Sequence, residues 1–348
     1  MKSHTEKSPH QNSKIKLDIQ TFSLRKLNDI SIKKKLPLFV MFVIILAVVT
    51  TVGTTLLFFF NYSRNIAERN SNNALYGLQE SLDRYKSGAL NYAKIFAVQP
   101  NVVSAISEHN TGAVLSSLSH LVKLSDIDFV TVTDANGIVI ARTHEPSNYG
   151  DSVTNQTNVA KALQGTPFAA IEKGTAVKLS ARAGVPVKNG AGQIVGVISA
   201  GYRLDRPELV DAIKRTFKTD ATIFLKDIRL DTTIKANGKR AVGTKLNPQI
   251  VQLVLKQNRK YVGNAMILGR PYLATYMPLL GPDNKPLGIL FAGESMDEVI
   301  KTNVFIFTSV LIITVILILL IYLVAVKFLT ISFIIPLQTA VDVLKKVA

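Results

Sequence analysis

Cysteine is missing from all 348 residues of the chain. That excludes disulfides and every metal site built on thiolates, and leaves an exported domain of this size to rely on its hydrophobic core. Catalytic signatures are missing too. Residues 61–303 hold no Gly-x-Ser-x-Gly, no P-loop, no His-Glu-x-x-His and no paired histidine cluster. The five histidines are scattered, two of them (His4 and His10) near the N-terminus. The chain is therefore expected not to be an enzyme and to carry no cofactor and no metal. Charge is absent from two long runs, residues 36–60 and 304–326. Each exceeds the roughly 20 apolar residues that cross a hydrocarbon core, so both read as transmembrane helices.

Residues 36–60 are longer than the apolar region of a cleavable signal peptide, about 7–15 residues, and read as an uncleaved anchor. The preceding flank, residues 1–35, carries nine basic residues against three acidic ones, with Lys33-Lys34-Lys35 at the boundary. Lys327, Lys345 and Lys346 stand against Asp342 after the second run. The excess of basic residues predicts a two-pass protein of the inner (plasma) membrane, with both termini cytoplasmic and residues 61–303 extracytoplasmic. The net charge of +17 is spread along the chain. With its largest basic region outside the cell membrane, the chain is not expected to bind nucleic acid; an anionic ligand, an anionic envelope surface or plain solubility all fit.

Between the spans the pattern changes twice. Residues 61–125 read as a long helical stalk. Leu75, Leu78, Leu82, Tyr85, Ala89, Tyr92 and Phe96 fall 3-4-3-4-3-4 apart, a heptad seam that predicts a homodimer through this helix or the covering of its own sheet. Gln99-Pro100-Asn101 breaks the helix, and a second helical stretch is expected over 102–124. Residues 126–205 form a β-rich module. Phe129-Val130-Thr131-Val132-Thr133 and Ile138-Val139-Ile140-Ala141-Arg142 flank an Asn136-Gly137 turn, the mark of a β-hairpin. A polar loop over 144–151, a helix over 158–163 and strands over 168–172, 177–187 and 193–203 follow. Residues 206–303 repeat that layout, with strands over 222–225 and 228–234, a turn at Asn237-Gly238, a helix over 248–257, and strands over 260–267, 271–280 and 287–294. Each module closes on a Gly-rich apolar strand, Gly196-Val197-Ile198-Ser199-Ala200-Gly201 and Gly288-Ile289-Leu290-Phe291-Ala292-Gly293. The expected fold class is α+β: two antiparallel-sheet modules on a long N-terminal helix, flanked by transmembrane helices at 36–60 and 304–326.

Lys178, Ser180 and Arg182 sit at i, i+2, i+4 on the strand expected over 177–187, which puts them on one face. A guanidinium grips a carboxylate through two parallel hydrogen bonds, whereas a lysine acts as a point charge. His144 in the facing loop adds a donor, and a charge near pH 6.5 if unperturbed. A solvated basic face is the plainer reading of the same alternation. Tyr272 and Tyr276 share a face of the second module, where core packing accounts for them.

Anchor, long helix, two such sheets and second anchor resemble a bacterial double-Cache sensor, of the Cache 3/Cache 2 fusion type found in methyl-accepting chemotaxis proteins, with PAS-like sheets. The first module also resembles citrate and dicarboxylate sensor kinases, on Arg142-Thr143-His144-Glu145-Pro146 with Gly150, on Lys178 to Pro186, and on Gly196 to Gly201. The resemblance puts His144, Arg182 and Ser199 on carboxylate-contacting positions, with Arg142 and Lys178 beside them. It departs at Ala141, where the family's loop arginine falls, and at Gly184, where citrate sensors carry lysine. Those departures imply a carboxylate smaller than citrate. The second module resembles the membrane-proximal half of chemoreceptor Cache fusions.

Residues 327–348, with Ile334-Ile335-Pro336-Leu337 and Leu337, Val341 and Leu344 in 4-3 spacing, look like the start of a HAMP linker that breaks off before its connector. The implied function is a transmembrane chemoreceptor whose outer domain, membrane-distal module first, binds a small organic acid. Chemotaxis signalling proteins are expected partners only if a longer cytoplasmic region exists. Two alternatives are the sensor portion of a histidine kinase or cyclic-di-nucleotide enzyme, and a membrane-anchored envelope-binding scaffold.

Overall fold

The computed structural model describes residues 32–347, so the basic tail expected over residues 1–35 lies almost wholly outside the described residues. Helix α1 (Ile32–Ala97) runs for 66 residues. Its apolar beginning and helix α7 (Met296–Leu329) both bear exposed hydrophobic side chains, Phe58 and Ile316 among them. Two helical stretches, Pro37–Ala97 and Ile300–Val347, are long and apolar enough to cross a membrane. The second takes in a π-helical turn (Thr330–Ile334) and helix α8 (Ile335–Val347).

Residues 63–299 form one compact unit. Pro100 opens α2 (Pro100–Ser107) at a first-turn position, where its missing N–H has no partner to lose. The single helix expected over 102–124 is two. His109 takes φ 51°, which ends α2, and the Asn110 side chain then accepts from Ala113 N–H at 3.0 Å to start α3 (Thr111–Leu124).

The first sheet holds β1 (Phe129–Asp134), β2 (Val139–Arg142), β3 (Phe168–Glu172), β4 (Ser180–Lys188) and β5 (Ile194–Arg203), with α4 (Thr157–Leu163) between β2 and β3. Its strand order is β2-β1-β5-β4-β3. Helix α5 (Glu208–Phe217) leads to β6 (Asp220–Leu225) and β7 (Ile228–Thr232). A small hairpin follows, β8 (Lys235–Ala236) and β9 (Lys239–Arg240), turning on Asn237 and Gly238 with φ 50° and 79°; two positive φ values are what an Asn-Gly turn supplies. Helix α6 (Pro248–Val251) passes into a π-helical turn (Gln252–Lys256), where one longer helix was expected. Strands β10 (Tyr261–Ile267), β11 (Arg270–Leu280) and β12 (Pro286–Ser295) close a second sheet in the order β10-β11-β12-β6-β7.

The two sheets share one topology, and the register shows that they share one plan. Gly196 lies against the Thr133 carbonyl and Gly288 against the Phe224 carbonyl, each too close for a Cβ. Setting Gly196 against Gly288 and Gly201 against Gly293 aligns the neighbouring strands. Gly184 then corresponds to Tyr276, Arg182 to Ala274 and Ser199 to Phe291.

The heptad seam of α1 is consumed inside the chain. Ala89 and Phe96 pack against the first sheet beside Val132, Val185 and Ile198. Leu75, Leu78 and Leu82 pack into a cluster containing Ile171 and Leu179 of the first module and Ile223, Leu279 and Leu290 of the second. The 3-4 stripe is a helix-on-sheet contact, and the dimer expected through it is not what buries it. The outer face is polar, with Glu80–Arg84 and Asp83–Lys86 ion pairs.

Candidate functional site

Along β4 and β5 alternate residues point to opposite faces. Ala183, Val185, Ile198 and Ala200 join the core under α1, α2 and α3, while Arg182, Gly184 and Ser199 take the other face. That face is roofed by the loop after β2, by α4, and by residues 173–179. Gly184 is required there, because a Cβ would run into the Asn158 carbonyl.

Arg182 is only 4% exposed. Its Nε donates to Ser180 Oγ at 2.7 Å and its Nη1 to Gln156 Oε1 at 2.6 Å. Nη2 is buried with no partner. The Phe129 ring lies 5.3 Å from the guanidinium carbon, and among the described residues no carboxylate forms an ion pair with it. Glu172 acts on it through space, and burial pulls the guanidinium down to about 10. Burial likewise pushes the Glu172 carboxyl up, with Arg182 opposing. Glu172 Oε1 accepts from Asn158 N–H at 3.0 Å, while Oε2 has no partner. His144 meets the Phe129 ring edge-on at 5.1 Å. Its Nδ1 is buried and unpartnered. Burial first, with Arg142, Arg203 and Arg182 adding to it, brings the imidazole down to about 4. Arg182, His144, Arg142, Phe129 and Gln156 enclose a cavity of about 10 Å³, room for roughly one water molecule.

The structure thus gathers Arg182, His144 and Arg142 around one space. Ser199 is on the same face but fully buried, accepting from Asn158 Nδ2 at 2.7 Å. Lys178 stands elsewhere. The strand begins at Ser180 rather than at 177, so Lys178 falls in the preceding loop, where it is exposed and lines a different groove with Lys173 and Asp205. Arg142 is engaged within the protein, pairing with both Asp151 oxygens at 2.8 Å and donating to Asn148 O at 2.6 Å. This fork holds the Asp151 carboxyl below its usual range and ties the roofing loop to β2. Asp151→Ala should loosen that loop at a cost of about 1–3 kcal/mol, seen as faster hydrogen exchange at Val139 and Gly150, whose N–H groups now bond Asp151 O and Val139 O. Unchanged exchange would show that the fork is not what holds it.

Gln156, Asn158 and Glu172 are the site residues that sequence reasoning missed. Each is a lone polar residue without a motif. The one available signal was register: Glu172 pairs with Ser180 across β3 and β4, next to the position of Arg182.

Two family profiles described as "Single cache domain 3" match the chain, over residues 79–208 and 203–304. Together they cover both sheets. The chain is a tandem Cache-domain protein. Cache domains are ligand-binding modules of chemoreceptors and sensor kinases and are not catalytic. The tandem Cache protein is 22% identical over 120 residues to the sensor histidine kinase CitA of Klebsiella pneumoniae, covering 34% of this chain and 22% of that protein. It is 26% identical over 126 residues to the sensor histidine kinase DpiB of Escherichia coli K12, covering 34% and 21%. The match therefore spans about a fifth of the length of each curated relative. Among solved structures it is similar to the ligand-binding domain of the Campylobacter jejuni chemoreceptor Tlp3 in complex with 4-methylisoleucine, with TM-score 0.44 and 13% identity over 69% of this chain and 93% of that one.

Proposed function

We propose that the first module of this tandem Cache protein is a sensor for a small carboxylate, held by Arg182 with His144 beside it. The observation that carries this reading is the buried guanidinium with an unpartnered Nη2 and, among the described residues, no ion-paired carboxylate. A buried cation that no carboxylate bonds directly is costly, and a ligand carboxylate supplies that bond through two parallel hydrogen bonds, where Glu172 acts only through space. Gln156 occupies the ligand's place at Nη1, and it also lines a groove of about 480 Å³ that Glu172 shares. The incoming carboxylate displaces the Gln156 amide, exchanging a neutral acceptor for a charged one, and reaches the guanidinium from that groove. The cavity must widen for this, so the roofing loop moves.

The proposal extends to topology and output. The two apolar helices cross the inner membrane, both termini are cytoplasmic, and residues 61–303 face outward. Strand β12 passes at Ser295 directly into α7 at Met296, so a shift of the closing strand reaches the second span without a linker, and residues beyond 327 begin a HAMP-type relay. Ligand shifts this equilibrium only by its preference for one state. A homodimer would meet through the polar outer face of α1. The similarity to two sensor histidine kinases supports a kinase as the alternative output to a chemotaxis one.

Calorimetry of the detergent-solubilised chain against small mono- and dicarboxylates tests the reading, with one-site binding expected and no heat from any of them counting against it. The pH dependence has a definite sign. A bound anion raises the His144 pKa from about 4, so binding takes up a proton between the free and bound values. Affinity for a carboxylate that stays ionised should rise as pH falls from neutrality towards the free-state value of about 4, and His144→Gln should flatten that rise. Stability of the free protein runs the other way. The unfolded imidazole protonates near 6.5 while the folded one resists until about 4, so stability is lost across that window as pH falls.

A further inference from the structure

The second module carries a cavity of about 320 Å³, large enough for a small organic ligand. Helix α6 and its π-helical turn form one side, and β7, β10 and β11 the other. Arg229 of β7 lines it and is 3% exposed. Its Nη1 donates to Thr244 Oγ1, the Phe224 ring lies 5.1 Å from its guanidinium carbon, and its Nε is buried with no partner. Among the described residues no carboxylate pairs with Arg229, and burial holds its pKa below the ordinary value. The site is not a copy of the first one. The place of Arg182 is taken here by Ala274 and that of Gly184 by Tyr276, so this arginine reaches its cavity from a different strand.

The rest of the lining selects among anions. Ile250, Leu253 and Ile267 give it an apolar wall, and Asn264 an amide. Among the described residues no Asp or Glu lines it, so the ammonium group of an amino acid would meet no counter-charge. A buried cation draws an anion, and the apolar wall draws hydrocarbon. We infer that this cavity is a second ligand site, taking a small organic monoanion with a short or branched apolar body, its carboxylate on Arg229 and its hydrocarbon against Ile250, Leu253 and Ile267. The site is independent of the first module's.

Isovalerate is a suitable probe, with isovaleramide and valine as controls, titrated into the detergent-solubilised full chain carrying Arg182→Gln to silence the first site. Isovalerate is expected to bind at one site and raise the melting temperature, with the amide and the amino acid at least tenfold weaker. Arg229→Met should abolish binding while leaving the ligand-free melting temperature equal or higher. It removes an uncompensated buried charge, and the Thr244 hydroxyl keeps its bond to Ala241 O. Ala265→Leu, which narrows the cavity and leaves Arg229 in place, should weaken isovalerate at least tenfold even if Arg229→Met fails to fold. The inference is overturned if isovalerate does not bind, if the amide binds equally well, or if Ala265→Leu leaves binding intact.

Discussion

Arg182→Ala is expected to weaken carboxylate binding to the first module by about 2–5 kcal/mol, roughly 30-fold to several thousand-fold. The guanidinium is held by Ser180 Oγ and lies over Phe129, contacts that remain when the carboxylate displaces Gln156, so little ordering cost falls on this side chain. Arg182→Lys keeps the charge but not the fork and should recover only part of the loss. The substitution also has a readout without ligand. Removing the cation takes away the one influence that lowers the Glu172 carboxyl by charge, so Glu172 should titrate higher still. Isotope-edited infrared spectroscopy of that carboxyl would detect the change, and calorimetry would give the affinity. Wild-type affinity in Arg182→Ala would end the assignment of the site.

Gly196→Val and Gly288→Val should each cost more than about 3 kcal/mol. The added Cβ would fall on the Thr133 or the Phe224 carbonyl oxygen at the centre of a sheet, and at Gly196 also on the buried Ile106 side chain, so the backbone itself must shift. For a folded unit of this size that lowers the melting temperature by about 2–4 °C per kcal/mol. Circular dichroism is the natural probe, because the chain has no tryptophan to report by fluorescence. Near-equal losses in the two variants would show that the glycines play the same part in both modules. A mild effect in either would break the equivalence on which the alignment of Arg182 with Ala274 rests.

The elements that were legible in the sequence are those with a local cause. The Asn-Gly turn at 237–238 takes positive φ at both residues and the one at 136–137 at Gly137, conformations that such a pair tolerates. The strand over 168–172 and the strand–strand–helix–three-strand layout of each module followed from alternation and turn residues. The seam on α1 shows the limit of such reading: a 3-4 apolar stripe says that a helix face is buried and says nothing of what buries it. Lys178 shows another. Its alternation with Ser180 and Arg182 continues unchanged across the start of β4, because alternating polar residues look the same in a loop as in a strand. Gln156 and Glu172 could not be found without the folded register, since they approach Arg182 from a loop and from the edge strand β3 with no motif to mark them. His144 and Arg182 were visible through the family pattern, but the engagement of Arg142 by Asp151 was not.

The cluster that takes Leu75, Leu78 and Leu82 from one helix, Ile171 and Leu179 from the first sheet and its roof, and Ile223 and Leu290 from the second bears on how tandem modules of this kind can diverge. The two halves are not interchangeable beads, since either half transplanted alone would inherit part of a jigsaw cut for another partner. New chemical tastes are therefore easiest to acquire on the sheet faces turned away from that helix, where substitutions leave the common interior untouched.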